Sequence, residues 1–154
     1  MSSGMSPFGS YMAKRGQAAQ SNPLDRILRV TFFAGPSASS KQEENVSLRN
    51  LVDRLATTRS SSKAALPWLK LAAFGDTRSP RGSLRHDANV AEIHGIEADY
   101  DGEQITMERA KTVLTNARLA AILYTSPSHT EERPRWRILC PTSRPLPPAE
   151  RANL

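Results

Sequence analysis

The sequence predicts an α+β fold class, and three observations predict it. Short segments rich in β-branched and aromatic residues are typical of strands, while two other segments place apolar residues at helical spacing. These segments follow one another as strand, helix, strand, loop and strand. Sequential strands with few helices favour a sheet with partly antiparallel pairing. The length of 154 residues suits about one domain.

Residues 1–26 are predicted to be a disordered N-terminal tail, and residues 27–154 the domain. The tail is rich in Ser and Gly, lacks periodicity, and ends at the turn signal Asn22-Pro23. It lacks the apolar segment of a secretory signal, and no run in the chain approaches the 18 or so apolar residues of a membrane span. We therefore expect a cytoplasmic protein without a membrane partner, monomeric by default.

The first strand is predicted at 27–33, ILRVTFF. Leu28, Val30 and Phe32 alternate there with polar residues, as in a half-buried strand. The polar segment 35–45 that follows is predicted to be a loop.

A first helix is predicted from Ser47, as its N-cap, to about Thr58. Its apolar residues share one helical face; they are Leu48, Leu51, Val52 and Leu55. A polar break follows at 57–63. The apolar segment 66–75 fits either a strand or a buried loop, and the sequence leaves both open. The arginine-rich segment 76–87 is predicted to be a mobile basic loop that could contact phosphates.

The next strand is predicted to end at Gly102, with four residues entering the core; they are Val90, Ile93, Ile96 and Tyr100. Thr106 then caps a second helix with an apolar stripe. The stripe consists of Met107, Ala110, Val113, Leu114 and Ala117.

The remaining elements are predicted as a strand at 120–125, a polar loop at 126–134 and a strand at 135–140. Pro148 is well placed to begin a further helix. Only six residues follow Pro148, too few for a helix to stand alone. The sequence thus predicts a C-terminally incomplete domain.

The net charge of +6 and the pI near 10.0 favour a polyanionic partner, nucleic acid first. A basic surface also keeps proteins soluble, so charge alone does not decide this. Cys140 is the only cysteine. A single cysteine excludes an intrachain disulfide and a cysteine-based zinc site, and it favours a reducing compartment.

The charge inverts in the middle of the chain. From Asp87 to Glu108 there are seven of the fifteen acidic residues and no Lys or Arg. Within this segment Glu97, Asp99 and Asp101 occupy every second position, which in a strand places them on one face, roughly 6.6 to 6.8 Å apart.

Three ionised carboxylates on one face repel one another unless a cation compensates. The obvious compensation is Mg²⁺ or Mn²⁺, which prefer oxygen ligands. Two such ions, about 3.5 to 4 Å apart, could clamp the oxygens of a phosphoryl displacement. The alternative is that this face is simply solvated and acidic.

His129 lies in the small-residue loop SPSHT, from which an imidazole could reach an anion, or it is merely exposed. Arg135 and Arg137 flank Trp136, so both guanidinium groups share one strand face and suit phosphate recognition. A solvent-facing edge strand is the alternative. His86 and His94 are interpreted as structural, because their spacing is a poor zinc signature. No phosphate-binding P-loop and no acyl-transfer motif is present.

The order of these motifs resembles the catalytic domain of the archaeo-eukaryotic primase superfamily. The likeness is to primase-polymerase domains at the N-terminus of phage, prophage and plasmid replication proteins. GIEADYDGE resembles the first metal motif of that family, and YTSPSHTEERPRWRILCPTSRPL resembles its His loop followed by P-R-[FYW]-R. The similarity covers about residues 27–154. It implies an RRM-like mixed sheet with flanking helices.

The resemblance also implies roles for individual residues. Asp99 and Asp101 would coordinate the catalytic Mg²⁺ or Mn²⁺, with Glu97 as an auxiliary ligand. His129 would contact the phosphates of the incoming nucleotide. Arg135 and Arg137 would help to hold the triphosphate or the template.

The chain departs from the family pattern in two ways. The second motif is small-x-His. Ser128 is assigned with His129 to nucleotide binding, although the sequence leaves open whether Ser126 or Ser128 is the serine that matters. The family also places a third metal-binding Asp on a later strand, but no Asp follows Asp101. That residue is expected beyond Leu154, in agreement with an incomplete domain.

The function implied by the resemblance is template-directed nucleotidyl transfer. Its partners would be a single-stranded DNA template and nucleoside triphosphates, and an incomplete domain would be weakly active or inactive. Two alternatives stay open. One is a metal-dependent nuclease, since D-x-D with basic neighbours also serves strand cleavage. The other is a non-catalytic nucleic-acid-binding module whose acidic strand is only a surface.

Overall fold

The computed structural model describes residues 22–154, and the predicted α+β class is confirmed. Within these residues the strands are β1 (Ile27–Phe33), β2 (Lys41–Ser47), β3 (Trp68–Lys70), β4 (Ala72–Phe74), β5 (Val90–Tyr100), β6 (Ile122–Thr125) and β7 (Trp136–Leu146). The α-helices of the described part are α1 (Leu48–Thr57) and α2 (Met107–Asn116), and the 3-10 turns are Pro23–Asp25, Lys63–Ala65, Asp87–Asn89 and Pro148–Asn153.

The strands form two sheets, a three-stranded one of order β2-β1-β3 and a four-stranded one of order β4-β5-β7-β6. Every ladder between strands of the described part is antiparallel, so the prediction of a mixed sheet is wrong for these strands. Because β5 and β6 are both antiparallel to β7, these two strands point the same way. They do not pair with each other, since β7 lies between them.

One extended segment, the linking segment 68–74, connects the two sheets. β3 pairs with β1 and β4 pairs with β5, and only Leu71 separates β3 from β4. The Thr31 hydroxyl donates to the Ala72 carbonyl over 2.6 Å, which fixes β4 against β1. Of the two alternatives for 66–75, the structure therefore shows strand.

The main core lies between the two sheets and α1. Leu28 and Val30 of β1 are fully buried there with Leu48 of α1. The opposite face of β1 is covered as well, since Phe33 is fully buried and contacts Phe74 edge-on, with ring centroids 5.0 Å apart. The interpretation of β1 as half-buried is thus wrong for its second half.

The predicted loop at 35–45 is wrong from Lys41 onward, because β2 begins there. β2 is a polar edge strand, and its backbone pairs with β1 along its full length. Its charged side chains are paired, Lys41 with Glu43 at 3.2 Å and Arg54 with Glu44 at 2.6 Å. Charged residues are typical of edge strands because they discourage further pairing.

Both predicted helix caps are confirmed. The Ser47 hydroxyl accepts a hydrogen bond from the Asn50 N–H at 3.1 Å, and the Thr106 hydroxyl accepts one from the Arg109 N–H at 3.2 Å. The predicted apolar faces are too wide, because Val52 in α1 and Val113 in α2 are exposed. Ile96 is exposed too and does not enter the core.

The predicted boundaries differ most near the two termini of the domain. β7 continues past the predicted end at Cys140, with a shift in register opposite β5, and reaches Leu146. A helical turn begins at Pro148, as predicted, but it is 3-10. Residues 22–26, assigned to the tail, form a turn capped by Asn22. The rest of the predicted tail, 1–21, lies outside the described residues.

Candidate active-site cleft

A cleft of about 740 Å³ opens between the two sheets. β3 and α1 line one wall, and β5, β6 and β7 line the other. Its charged lining residues are Glu97, Asp99, Arg54, Lys63, Lys70, Arg85 and Arg137. The cleft thus combines two carboxylates with five cations, a charge balance that suits a polyanionic ligand.

A row of three polar side chains crosses the wall formed by β5, β7 and β6. Arg137 is opposite Asp99 on one side and opposite Tyr124 on the other. Directly opposed residues of antiparallel strands share one face, and all three line the cleft. Burial raises the pKa of Tyr124, and the neighbouring positive charge of Arg137 partly offsets this.

The ion pair within this row is short but poorly aligned. Arg137 Nε lies 2.8 Å from Asp99 Oδ1, yet Nε is buried and makes no hydrogen bond to any described residue. The Asp99 side chain is 59% exposed. Asp99 therefore has a cation beside it while staying open to the cleft.

Glu97 occupies a different setting, although it is only two residues away. One of its oxygens accepts a hydrogen bond from the Leu71 N–H, and the other accepts one from Lys70 Nζ at 3.1 Å. Leu71 lies between β3, which pairs with β1, and β4, which pairs with β5. Glu97 supplies the hydrogen-bond acceptor for the Leu71 N–H there. A buried N–H without an acceptor is costly, which gives Glu97 a structural role.

Asp101 follows the end of β5 and is exposed. It makes no ion pair with any residue in the range 22–154. Of the three predicted carboxylates, Asp99 and Asp101 are therefore open to a ligand, while the fold itself uses both oxygens of Glu97.

Glu103 is an acidic residue beside Arg135 to which the sequence pattern assigned no role. Arg133 donates to both of its carboxylate oxygens, at 2.8 and 2.7 Å, and Arg135 Nε donates to Oε1 at 2.8 Å. Hydrogen bonds from Arg133, then from Arg135, lower the pKa of Glu103 to about 2. The signal was available, since Glu103 continues the acidic spacing of every second position.

The His129 loop is closed by its own hydrogen bonds. The His129 N–H donates to the Ser126 carbonyl at 3.1 Å, and the Arg135 N–H donates to His129 Nδ1 at 3.1 Å. With Nδ1 as acceptor, the neutral ring carries its proton on Nε2 and can donate from that atom. Ser128 is exposed, whereas Ser126 Oγ is buried without a partner among the described residues.

The predicted alternation along β7 agrees with the structure. Trp136 is buried and stacks on Tyr100, with ring centroids 4.5 Å apart. The flanking arginines both contact carboxylates, Arg135 that of Glu103 and Arg137 that of Asp99. Each guanidinium thus has an acidic partner of its own chain beside it.

His94 is a buried histidine, in keeping with its interpretation as structural. Its Nδ1 accepts a hydrogen bond from the Arg29 N–H at 3.3 Å, and its Nε2 lies 2.7 Å from Glu92. The basic segment 76–87 is irregular, as predicted. It is tied to the body of the domain by buried Leu84 and by Arg78, which donates to the Ser39 carbonyl at 2.8 Å.

Within the part of the chain that the structure describes, no three His, Cys, Asp or Glu side chains are grouped to hold a metal ion. Mg²⁺ in proteins is often bound through one or two carboxylates together with substrate phosphates and water. Asp99 and Asp101 fit that requirement, because both are exposed. Glu97 is less suited, since each of its oxygens already accepts a hydrogen bond.

Comparisons with known proteins returned no match among family models, curated proteins or solved structures. Neither α-helix of residues 22–154 is long and apolar enough to cross a bilayer.

Proposed function

We propose that this chain is a primase-polymerase-type nucleotidyl transferase domain of a phage- or plasmid-type replication protein. It would act on nucleoside triphosphates and a single-stranded DNA template, with Mg²⁺ or Mn²⁺. The observation that carries the proposal is the exposed carboxylate of Asp99 beside Arg137, on the wall of a cleft with five cationic side chains.

The connectivity around the cleft supports the same proposal. The unit β5-α2-β6-β7 forms a sheet in which β7 lies between β5 and β6. The strand order, though not the mixed pairing, suits the RRM-like sheet that the sequence resemblance implies. The cleft lies on the face that carries Asp99, and the opposite face carries the Tyr100–Trp136 stack.

Asp99 and Asp101 would hold the metal. When bound, Mg²⁺ or Mn²⁺ supplies charge neutralisation at the phosphates and activation of the attacking 3′ hydroxyl. Arg137 would move from Asp99 to the triphosphate, because a guanidinium matches phosphate with paired hydrogen bonds. His129 would donate from Nε2 to a phosphate oxygen, held in that orientation by the Arg135 N–H on Nδ1.

A second candidate is a non-catalytic nucleic-acid-binding module. It is favoured by the protein's own compensation of the acidic row, since Lys70 contacts Glu97 and Arg137 contacts Asp99. On that account no metal is needed to relieve the repulsion between the carboxylates. The cations of the cleft would then bind phosphates without turnover.

Primer synthesis and extension on single-stranded DNA, with Mn²⁺ and labelled nucleoside triphosphates, test the proposal. We expect weak nucleotide incorporation, in line with the low activity predicted from the sequence, and its loss in Asp99→Asn, because Asp99 would be a metal ligand. Glu108→Gln, an exposed acid on α2, is the matched control and should retain activity. Degradation of labelled DNA without nucleotides would show a nuclease. Salt-dependent DNA binding that is unaffected by metal and by Asp99→Asn would show the binding module.

A further inference from the structure

Trp68 is an aromatic side chain that the predicted active site does not use. It begins β3, lines the cleft and is 39% exposed. The other tryptophan, Trp136, is buried under Tyr100 and hydrogen-bonds the Ile105 carbonyl at 2.8 Å. The indole of Trp68 is therefore partly open to the cleft.

Arg85 lies over the ring of Trp68, with its guanidinium carbon 3.8 Å from the ring centroid. Burial lowers the pKa of Arg85, and no carboxylate pairs with it within residues 22–154. Arg54 shows the contrast: its guanidinium also lies over a ring, that of Phe32, but it is paired with Glu44. Arg85 therefore brings an unpaired planar cation to the same point of the cleft as the indole.

The position of this pair relative to Asp99 matters. Trp68 and Lys70 are two residues apart in β3, so they project to one side, roughly 6.6 to 6.8 Å apart. Lys70 contacts Glu97, and Glu97 is two residues from Asp99 on the same face of β5. A ligand with a planar group on Trp68 could thus extend its phosphates along the cleft toward Arg137.

Flat aromatic and guanidinium groups together are the surfaces on which unpaired nucleobases stack. We propose that Trp68 and Arg85 form a nucleobase-stacking subsite of the cleft. The subsite rests on the proposed function, and its ligand is a base of either an incoming nucleotide or a single-stranded template. A bound base would either stack on both Trp68 and Arg85 or displace Arg85 from the face of the indole.

Binding titrations by calorimetry separate stacking from phosphate binding. The probes are ATP, an oligothymidylate, and inorganic tripolyphosphate, which has no base. We expect Trp68→Ala to weaken ATP, the oligothymidylate or both by about 5- to 100-fold, and to leave tripolyphosphate unchanged. Trp68→Phe is the conservative control and should retain most of the affinity. Which probe is weakened identifies the source of the base.

Fluorescence supplies an independent measurement. Trp136→Phe leaves Trp68 as the sole tryptophan, and the probe that carries the stacked base should quench it while tripolyphosphate does not. Wild-type protein that binds the nucleotides with no change in Trp68→Ala overturns the subsite and leaves the proposed function standing. An equal loss of tripolyphosphate binding in Trp68→Ala also overturns the subsite. Trp68 would then affect binding only by maintaining the structure of the cleft, because tripolyphosphate has no base to stack. A wild-type chain that binds none of the three probes contradicts the proposed function and the subsite together.

Discussion

The middle of β5 and its C-terminal end carry carboxylates in the same alternating pattern, but they use them differently. In the middle, Glu97 receives hydrogen bonds from the Leu71 backbone and from Lys70. At the end, Asp99 is 59% exposed, and its contact with Arg137 is poorly aligned. Acidic residues at the same spacing thus stabilise the fold at one position and stay open to a ligand two residues later.

The difference arises from what crosses above the strand. The linking segment passes over Gly95, where an added Cβ would lie 2.4 Å from a Leu71 methyl group and 2.6 Å from the Cys140 carbonyl. Glu97 is next along that face and is used to hold the same segment. Asp99 lies beyond it and stays open to the cleft.

The largest expected effect is on the linking segment itself. Leu71→Ala should destabilise the protein by about 2 to 5 kcal/mol, because Leu71 is fully buried and its removal leaves a cavity. Urea denaturation measures this. Leu119→Ala, the same substitution at an exposed position, should change the free energy of unfolding by less than about 0.5 kcal/mol. Equal effects of the two would show that the segment is not packed as described.

Paired alanine substitutions test the two carboxylates directly. Glu97→Ala should cost about 1 to 3 kcal/mol, because the Leu71 N–H loses its acceptor. Asp99→Ala should cost no more than about 1 kcal/mol, since its ion pair is exposed. Chemical denaturation of both variants compares them. A larger loss for Asp99→Ala would reverse the comparison.

Acid should weaken the ion pairs that Glu103 forms with Arg133 and Arg135 beyond the end of β5. Its pKa is about 2, lowered from 4.5 by hydrogen bonds from Arg133 and then from Arg135. A lowered carboxyl pKa contributes stability above the ordinary value, and that stability is lost as pH falls toward the lowered one. The stability difference between wild type and Glu103→Gln should therefore shrink between pH 6 and pH 3. Glu131→Gln, at an exposed acid, is the matched control.

The smallest expected effect concerns the cation beside Asp99. Without nucleotide, Arg137 competes with a divalent ion for that carboxylate, so Arg137→Gln should tighten Mn²⁺ binding by about two- to five-fold. Titration followed by the electron paramagnetic resonance of free Mn²⁺ measures this. Weaker Mn²⁺ binding in Arg137→Gln would mean that Arg137 orients Asp99 rather than competing for it.

Local signals predicted most of the elements. The alternation at 27–33 matches β1, and the caps Ser47 and Thr106 begin α1 and α2 as expected. β2 could not be predicted, because its polar sequence becomes a strand only by pairing with β1. The continuation of β7 past Cys140 likewise depends on its pairing with β5.

Within the candidate site, the row of carboxylates could be predicted. Which carboxylate bonds to the protein's own backbone and which stays exposed could not. Leu71 is 26 residues from Glu97 in the chain, and Arg133 is 30 residues from Glu103. Such partners are set by topology, which a pattern of neighbouring residues does not contain. Which cation contacts each carboxylate is therefore known only from the folded structure.

The most direct measurement is Mn²⁺ uptake, in the presence of a nucleoside triphosphate, by wild type, Asp99→Asn and Glu97→Gln, each checked for folding by circular dichroism. Our account predicts that wild type binds the ion, that Asp99→Asn loses it without losing stability, and that Glu97→Gln keeps it while becoming less stable. Folded wild-type protein that takes up no Mn²⁺, or Asp99→Asn protein that binds it as well as wild type, would contradict the account.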